Sequence, residues 1–219
     1  MLRAAGVGSG DEVIVPAYGN AEVAEDVVLA GAMPVFADID PLTYCLSPAA
    51  VDAVVTDRTA AVVAVHRFGN QADIAGLHSV GRRHGLLVLE QGELDAPHDG
   101  LPQRRACAAY LNGRLTGVIT PTEHAAHSHQ YVVRVPGNGR PDRDAFARAV
   151  RARGVDCHVP VKTPLHRTPK FWRDVELPAT ERAADETLAL PVDDSLSRRE
   201  LQRIVSACNA LGGLLQPAF

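Results

Sequence analysis

Residues 60–90 read AAVVAVHRFGNQADIAGLHSVGRRHGLLVLE. The run from Ala60 to Val65 is apolar and uncharged, and it closes on a polar turn that begins at His66. From Ala72 to His84 apolar residues recur at helical spacing, and Gly85 stops the helix. Leu86 to Leu89 is apolar again. Strand, helix and strand in this order form a βαβ unit. Strands with no polar alternation belong to a parallel sheet that is covered on both faces.

The same pattern extends toward the N-terminus. Glu12 to Val15 (EVIV) is a short apolar strand ended by Pro16. Residues 20–31 place Ala21, Ala24, Val27, Val28 and Ala30 on one helical face, with Gly31 as the stop. Val35 to Asp38 reads as a second strand. Ser47 caps a helix with Pro48 at its first position, which runs to Val55. Four strands separated by helices predict an α/β fold with a mostly parallel sheet flanked by helices.

Beyond Leu89 the pattern breaks. Residues 91–102 are acidic and turn-rich, 103–115 suit a helix, and 116–128 are irregular. A strand is expected at Gln130 to Val135, then the turn PGNGRP, then an amphipathic helix from Asp142 to Arg153. Residues 155–176 have little regular pattern, and helices are expected at 179–189 and 197–211. The domain reading is therefore a βαβ sheet over 1–102, a connector over 103–128 and a small α/β domain over 129–219.

Composition narrows the function classes. Of 219 residues, 46% are hydrophobic and 22% charged, which is globular. A formal net charge of −4 argues against a nucleic-acid partner. No apolar run approaches the ~20 residues that cross a bilayer, and the first residues lack the pattern of a secretory signal. A cytoplasmic protein with no membrane partner is expected. Cys45, Cys107, Cys157 and Cys208 are scattered without CxxC spacing, so free buried thiols are expected rather than a metal or redox site. His124, His127 and His129 lie close together, but no carboxylate or cysteine stands at ligand spacing. Lys162 and Lys170 are the two lysines of the chain.

In an open parallel sheet, ligands bind beyond the carboxyl ends of the strands. That rule selects Tyr18 and Asn20 after the first strand, Asp38 and Asp40 after the second, and His66 and Arg67 after the third. After the fourth comes EQGELDAPHD, with Glu90, Gln91, Glu93, Asp95 and His98. Carboxylates and a histidine held together can divide into acid and base. A solvated acidic loop is the structural alternative for this run, and a satisfied core histidine is the alternative for His66.

GVGSGDEVIVPAY (6–18), the run from Leu29 to Leu77 that contains PVFADIDP and VHRFGNQAD, and RRHGLLVLEQ (82–91) are together familiar. They resemble the large domain of the DegT/StrS-like sugar aminotransferases, fold-type-I enzymes that depend on pyridoxal phosphate (PLP). HSHQYVVRV (127–135), DRDAFARAVRARGVDCHV (142–159), PLHRTPKFW (164–172) and LALPVDDSLSRRELQRIVSA (188–207) resemble the small C-terminal domain of that family. The resemblance implies a truncated fold-type-I aminotransferase-like architecture.

Carried over residue by residue, the cofactor site departs from the family. Gln91 stands where the family's aspartate meets the pyridine nitrogen, and Gly92, Glu93 and Leu94 replace the residues that follow. The stacking aromatic aligns with about Asn20. The interior stretch bearing the family's Schiff-base lysine has no counterpart between Gly100 and Leu111, and Lys162 is not at that position. The phosphate-binding turn of the family, similar to SSGTAAL, would precede Met1. The implied expectation is no PLP, no other cofactor, no metal and no transamination. The leading reading is a repurposed enzyme that performs cofactor-free acid/base chemistry (cyclisation, isomerisation or dehydration) on a sugar-like or secondary-metabolite substrate. Glu93, His66, Asp95 and His98 are its catalytic candidates, and Tyr18, Asn20, Glu90, Gln91 and Lys162 its substrate-binding candidates. The alternatives are a non-catalytic pseudoenzyme that stabilises another biosynthetic enzyme, and a decayed fragment. A homodimer or a complex with a pathway enzyme is implied by the resemblance.

Overall fold

The computed structural model describes residues 2–19, 21–92, 101–121, 130–136 and 142–212. The chain forms two compact units, residues 1–93 with 163–181, and residues 94–162 with 182–219.

The first unit is built on β1 (Glu12–Pro16), β2 (Met33–Ala37), β3 (Thr59–Val65) and β4 (Leu87–Gln91). All neighbours are parallel, in the order β2-β1-β3-β4. Helices α1 (Glu22–Ala30), α2 (Pro48–Ala53) and α3 (Ile74–His84) make the crossovers. Side chains alternate between the two faces of a strand. Val13, Val15, Ala61 and Val63 therefore join α1 in one core, while Ile14, Val62 and Ala64 join Val51, Leu77 and Val80 in another. Both faces are covered, which is why β1 and β3 are apolar at almost every position. The expected caps form: Ser47 accepts from the Ala50 N–H, and Gly31 and Gly85 end their helices in the left-handed conformation.

Residues 163–181 lie inside the stretch 129–219 that was expected as one small domain. In the structure they pack on the first unit, because Leu165, Phe171 and Leu177 enter the core on the α1 side. Leu165 N–H donates to the Ala17 carbonyl at 2.9 Å, and Phe171 meets Phe36 edge-on. Asp38, just past β2, accepts from the Ala179 and Thr180 N–H groups at 3.0 and 2.8 Å. These are at the start of α6 (Pro178–Glu186), whose first-turn amides need acceptors. Asp38→Ala is expected to lower unfolding free energy by about 1–2 kcal/mol, read from the urea midpoint.

The second unit contains α4 (Leu101–Asn112), β5 (Tyr131–Arg134), α5 (Asp142–Ala152), β6 (Thr187–Leu190) and α7 (Arg198–Gly212). β5 and β6 pair antiparallel, Tyr131 opposite Leu190. β6 was not anticipated, since the helix there was expected to run to 189. The segment Thr187–Leu190 is buried throughout, and a four-residue apolar run cannot be told from a buried helix end by periodicity. The 103–128 stretch is more than a tether: Cys107, Ala108, Leu111 and Leu115 lie in this unit's core with Tyr131, Phe146, Leu188 and Ile204. All four cysteines are buried and free.

Candidate active site

The order β2-β1-β3-β4 reverses direction between β1 and β3. In open parallel sheets the crevice at this switch point, outside the carboxyl ends, is the usual ligand site. The residues leaving β1 there are Ala17, Tyr18 and Gly19, those leaving β3 are His66, Arg67 and Phe68, and β4 ends in Glu90 and Gln91.

His66 and Glu90 are brought together. The imidazole is buried, with Nε2 at 3.5 Å from Glu90 Oε2. Its Nδ1 accepts the Ala72 N–H at 3.1 Å. That bond assigns the neutral tautomer with the proton on Nε2, the nitrogen nearer Glu90. The ring then has no spare lone pair to act as a base. Glu90 is half exposed, its side chain 49% accessible. His66 N–H also donates to the Gln91 carbonyl, which ties the ends of β3 and β4 together. Gly92 makes the following turn at φ 101°, where an added Cβ would come within 3.1 Å of the His66 carbonyl oxygen.

Beside this pair is a cavity of about 490 Å³ between α1 and the β3–β4 side of the sheet. Val23, Leu29, Val63 and Leu89 give it apolar walls, and Glu90 and Gln91 line it as well. Its volume falls within the range of small-molecule sites, and a few polar groups against apolar walls is their usual composition.

A second cluster occupies the β1–β3 crevice. Tyr18 stacks on Tyr44 with ring centroids 5.8 Å apart, and Phe68 meets both rings edge-on. The Arg67 guanidinium lies over the Phe68 ring at 4.8 Å and stands 6.0 Å from the Tyr18 ring. Tyr44 and Phe68 both adopt left-handed backbone, at φ 61° and 51°. Such conformations cost non-glycine residues on the order of 1–3 kcal/mol each and concentrate at functional sites. Cys45 lies beneath, its thiol pushed up to about 11 by burial, so it is an inert thiol rather than a nucleophile.

The sequence-derived candidates therefore divide. His66, Glu90 and Gln91 converge at the ends of β3 and β4, while Tyr18 belongs to the aromatic cluster. Lys162 is exposed and belongs to the second unit. The other lysine, Lys170, is paired with Glu25 at 2.6 Å. Glu93, Asp95, His98 and Asn20 fall outside the described residues, as do His124, His127 and His129. Among the described residues, no group of three or more His, Cys, Asp or Glu side chains could hold a metal. Tyr44, Phe68 and the setting of Arg67 went unread in the sequence. The one available signal was an arginine directly after an apolar strand.

Comparison with known proteins agrees with this architecture. The sequence profile of the DegT/DnrJ/EryC1/StrS aminotransferase family matches residues 1–99 and 93–209. An L-glutamine:2-deoxy-scyllo-inosose aminotransferase of Streptomyces lividus is 32% identical, over 98% of this chain and 49% of its own length. A protein of the same description from Streptomyces fradiae is 51% identical over 89 residues, 41% of this chain and 21% of its own. The chain thus spans about half or less of these two relatives. The crystal structure of a DegT DnrJ EryC1 StrS aminotransferase from Brucella abortus superposes with a TM-score of 0.84 at 20% identity, covering 97% of this chain and 82% of that one. At that identity the likeness shows the fold. Among the described residues, no helix is long and apolar enough to cross a membrane.

Proposed function

We propose, because the chain belongs to the DegT/DnrJ/EryC1/StrS aminotransferase family, that it is a member repurposed for acid/base chemistry without PLP. The substrate class is a small sugar-like or cyclitol ketone. The relatives' description names an inosose, a cyclic polyol ketone, which motivates this choice.

The residues present do not fit the cofactor. PLP chemistry needs a lysine amine for the Schiff base and a charged partner for the pyridine nitrogen. Gln91 supplies a neutral amide at the end of β4, Lys170 is engaged by Glu25, and Lys162 is exposed in the second unit. In the test, protein is incubated with stoichiometric PLP, reduced with borohydride and weighed by mass spectrometry. An unchanged mass is expected, and a lysine adduct defeats this reading.

The observation that carries the acid/base half is Glu90, a carboxylate that lines the cavity and stands 3.5 Å from His66. Isomerisation and dehydration of a hydroxyketone both begin by removing a proton from the carbon beside the carbonyl. In this reading Glu90 takes that proton, and the electron pair moves onto the carbonyl oxygen as an enolate forms. Glu93, Asp95 and His98, which follow Gln91 in the sequence, are the candidates to protonate that oxygen or a departing hydroxyl. Gln91 would hydrogen-bond substrate hydroxyls. Deuterium uptake from D2O beside the ketone of 2-deoxy-scyllo-inosose, followed by NMR, reads this step directly.

One observation favours a second, non-catalytic reading as a partner protein. Among the described residues β4 pairs with β3 alone, and Leu87 on it is 37% exposed. An uncovered edge of a parallel sheet invites another chain, whether a second copy or a pathway enzyme. Absence of deuterium uptake together with a stable complex in size-exclusion chromatography would favour it.

A further inference from the structure

The Arg67 guanidinium lies between an aromatic ring and the backbone that follows β1. Phe68 lies on one side at 4.8 Å, and Cζ and Nη1 come within 3.8 and 3.9 Å of the position a Cβ would take on Gly19. Nε is buried without a hydrogen-bond partner, and among the described residues no carboxylate forms an ion pair with the guanidinium, while the backbone N–H donates to the Asn70 carbonyl at 3.1 Å. Other arginines of the unit behave differently: Arg58 is matched to Glu12 and Arg167 to Glu181. The acids after β2 are already engaged, Asp38 with the start of α6 and Asp40 with the N–H groups of Leu42 and Thr43. An arginine held this way, part-buried and among the described residues without a counter-charge, is costly unless an anion completes it. Its location is the switch-point crevice between β1 and β3, and two left-handed residues, Tyr44 and Phe68, are held in the cluster around it.

We propose that Arg67 is the binding residue for an oxyanion, a carboxylate or a phosphate, carried by a small molecule seated over the carboxyl ends of β1 and β3. The guanidinium edge matches such groups, which accept two parallel N–H bonds. Tyr18, Tyr44 and Phe68 fix the plane of the fork. This site is separate from the Glu90 cavity and independent of whether that carboxylate acts as a base.

The test is thermal unfolding of the full chain in acetate, in phosphate and in chloride at matched ionic strength. A saturable rise in Tm over chloride is expected, roughly 5 °C at a hundredfold excess over Kd. A response to acetate alone assigns a carboxylate ligand, to phosphate alone a phosphate, and to both an oxyanion of either kind. Arg67→Met is expected to abolish the rise, and the exposed Arg82→Met to leave it intact. No saturable rise in either anion, or an undiminished rise in Arg67→Met, overturns the proposal. Should Arg67→Met fail to fold, the Arg67 Nε–H resonance of the unaltered protein decides. It moves on titration if the anion binds there, and a static signal overturns the assignment. Turnover is not measured in any arm, so failure here leaves the Glu90 reading untouched.

Discussion

Glu90→Gln is expected to slow deuterium uptake beside the ketone by roughly 10²–10⁴-fold, the usual contribution of a positioned general base. The substitution keeps the shape of the side chain and an oxygen that can accept from His66 Nε2–H. It removes only the basic carboxylate. Because Glu90 is half exposed and its contact with His66 spans 3.5 Å, stability should change by no more than about 0.5 kcal/mol. A loss of exchange at unchanged Tm therefore reports chemistry and not folding. Full exchange in Glu90→Gln would remove this carboxylate from the mechanism and shift attention to Glu93, Asp95 and His98.

Leu111→Ala is expected to be the most damaging single change in the second unit, at about 2–5 kcal/mol. Leu111 is fully buried, and α4 shares a core with α7 and with the two strands β5 and β6. Two strands and three helices leave little else to fill the cavity that truncation creates. The measurement is the urea midpoint, paired with hydrogen exchange at Val132 and Val133. Those amides should exchange faster in the variant while the β1 and β3 amides do not. A cost below about 1 kcal/mol would make α4 a peripheral connector.

The sheet of the first unit was legible in the sequence because its strands are buried on both faces and its turns carry strong signals. Pro48 behind Ser47, Gly31 and Gly85 all mark the boundaries found in the structure. β6 was hidden because a four-residue apolar run has no periodicity of its own. The placement of Leu165, Phe171 and Leu177 was hidden for another reason. Irregular segments carry no pattern that says which core they serve, and here the partner is a sheet more than a hundred residues upstream. At the site, the strand-end rule located His66, Glu90 and Arg67, yet their roles depended on geometry. Only the Ala72 N–H on Nδ1 shows that this ring nitrogen is already engaged as an acceptor. That Arg67 has no counter-charge among the described residues is visible only once Asp38 and Asp40 are seen to be engaged elsewhere.

The bond from Thr180 N–H to Asp38 joins residues 142 positions apart in the chain. During synthesis, the first 93 residues leave the ribosome well before Leu165, Phe171 and Leu177 exist to cover the α1 side of their sheet. That apolar face must wait, uncovered, while the intervening polypeptide is made. Closing so long a loop is slow, and a half-covered sheet is prone to aggregate in the interval. Expression yield should thus depend on translation speed and chaperone supply more steeply than the stability of the finished protein would suggest.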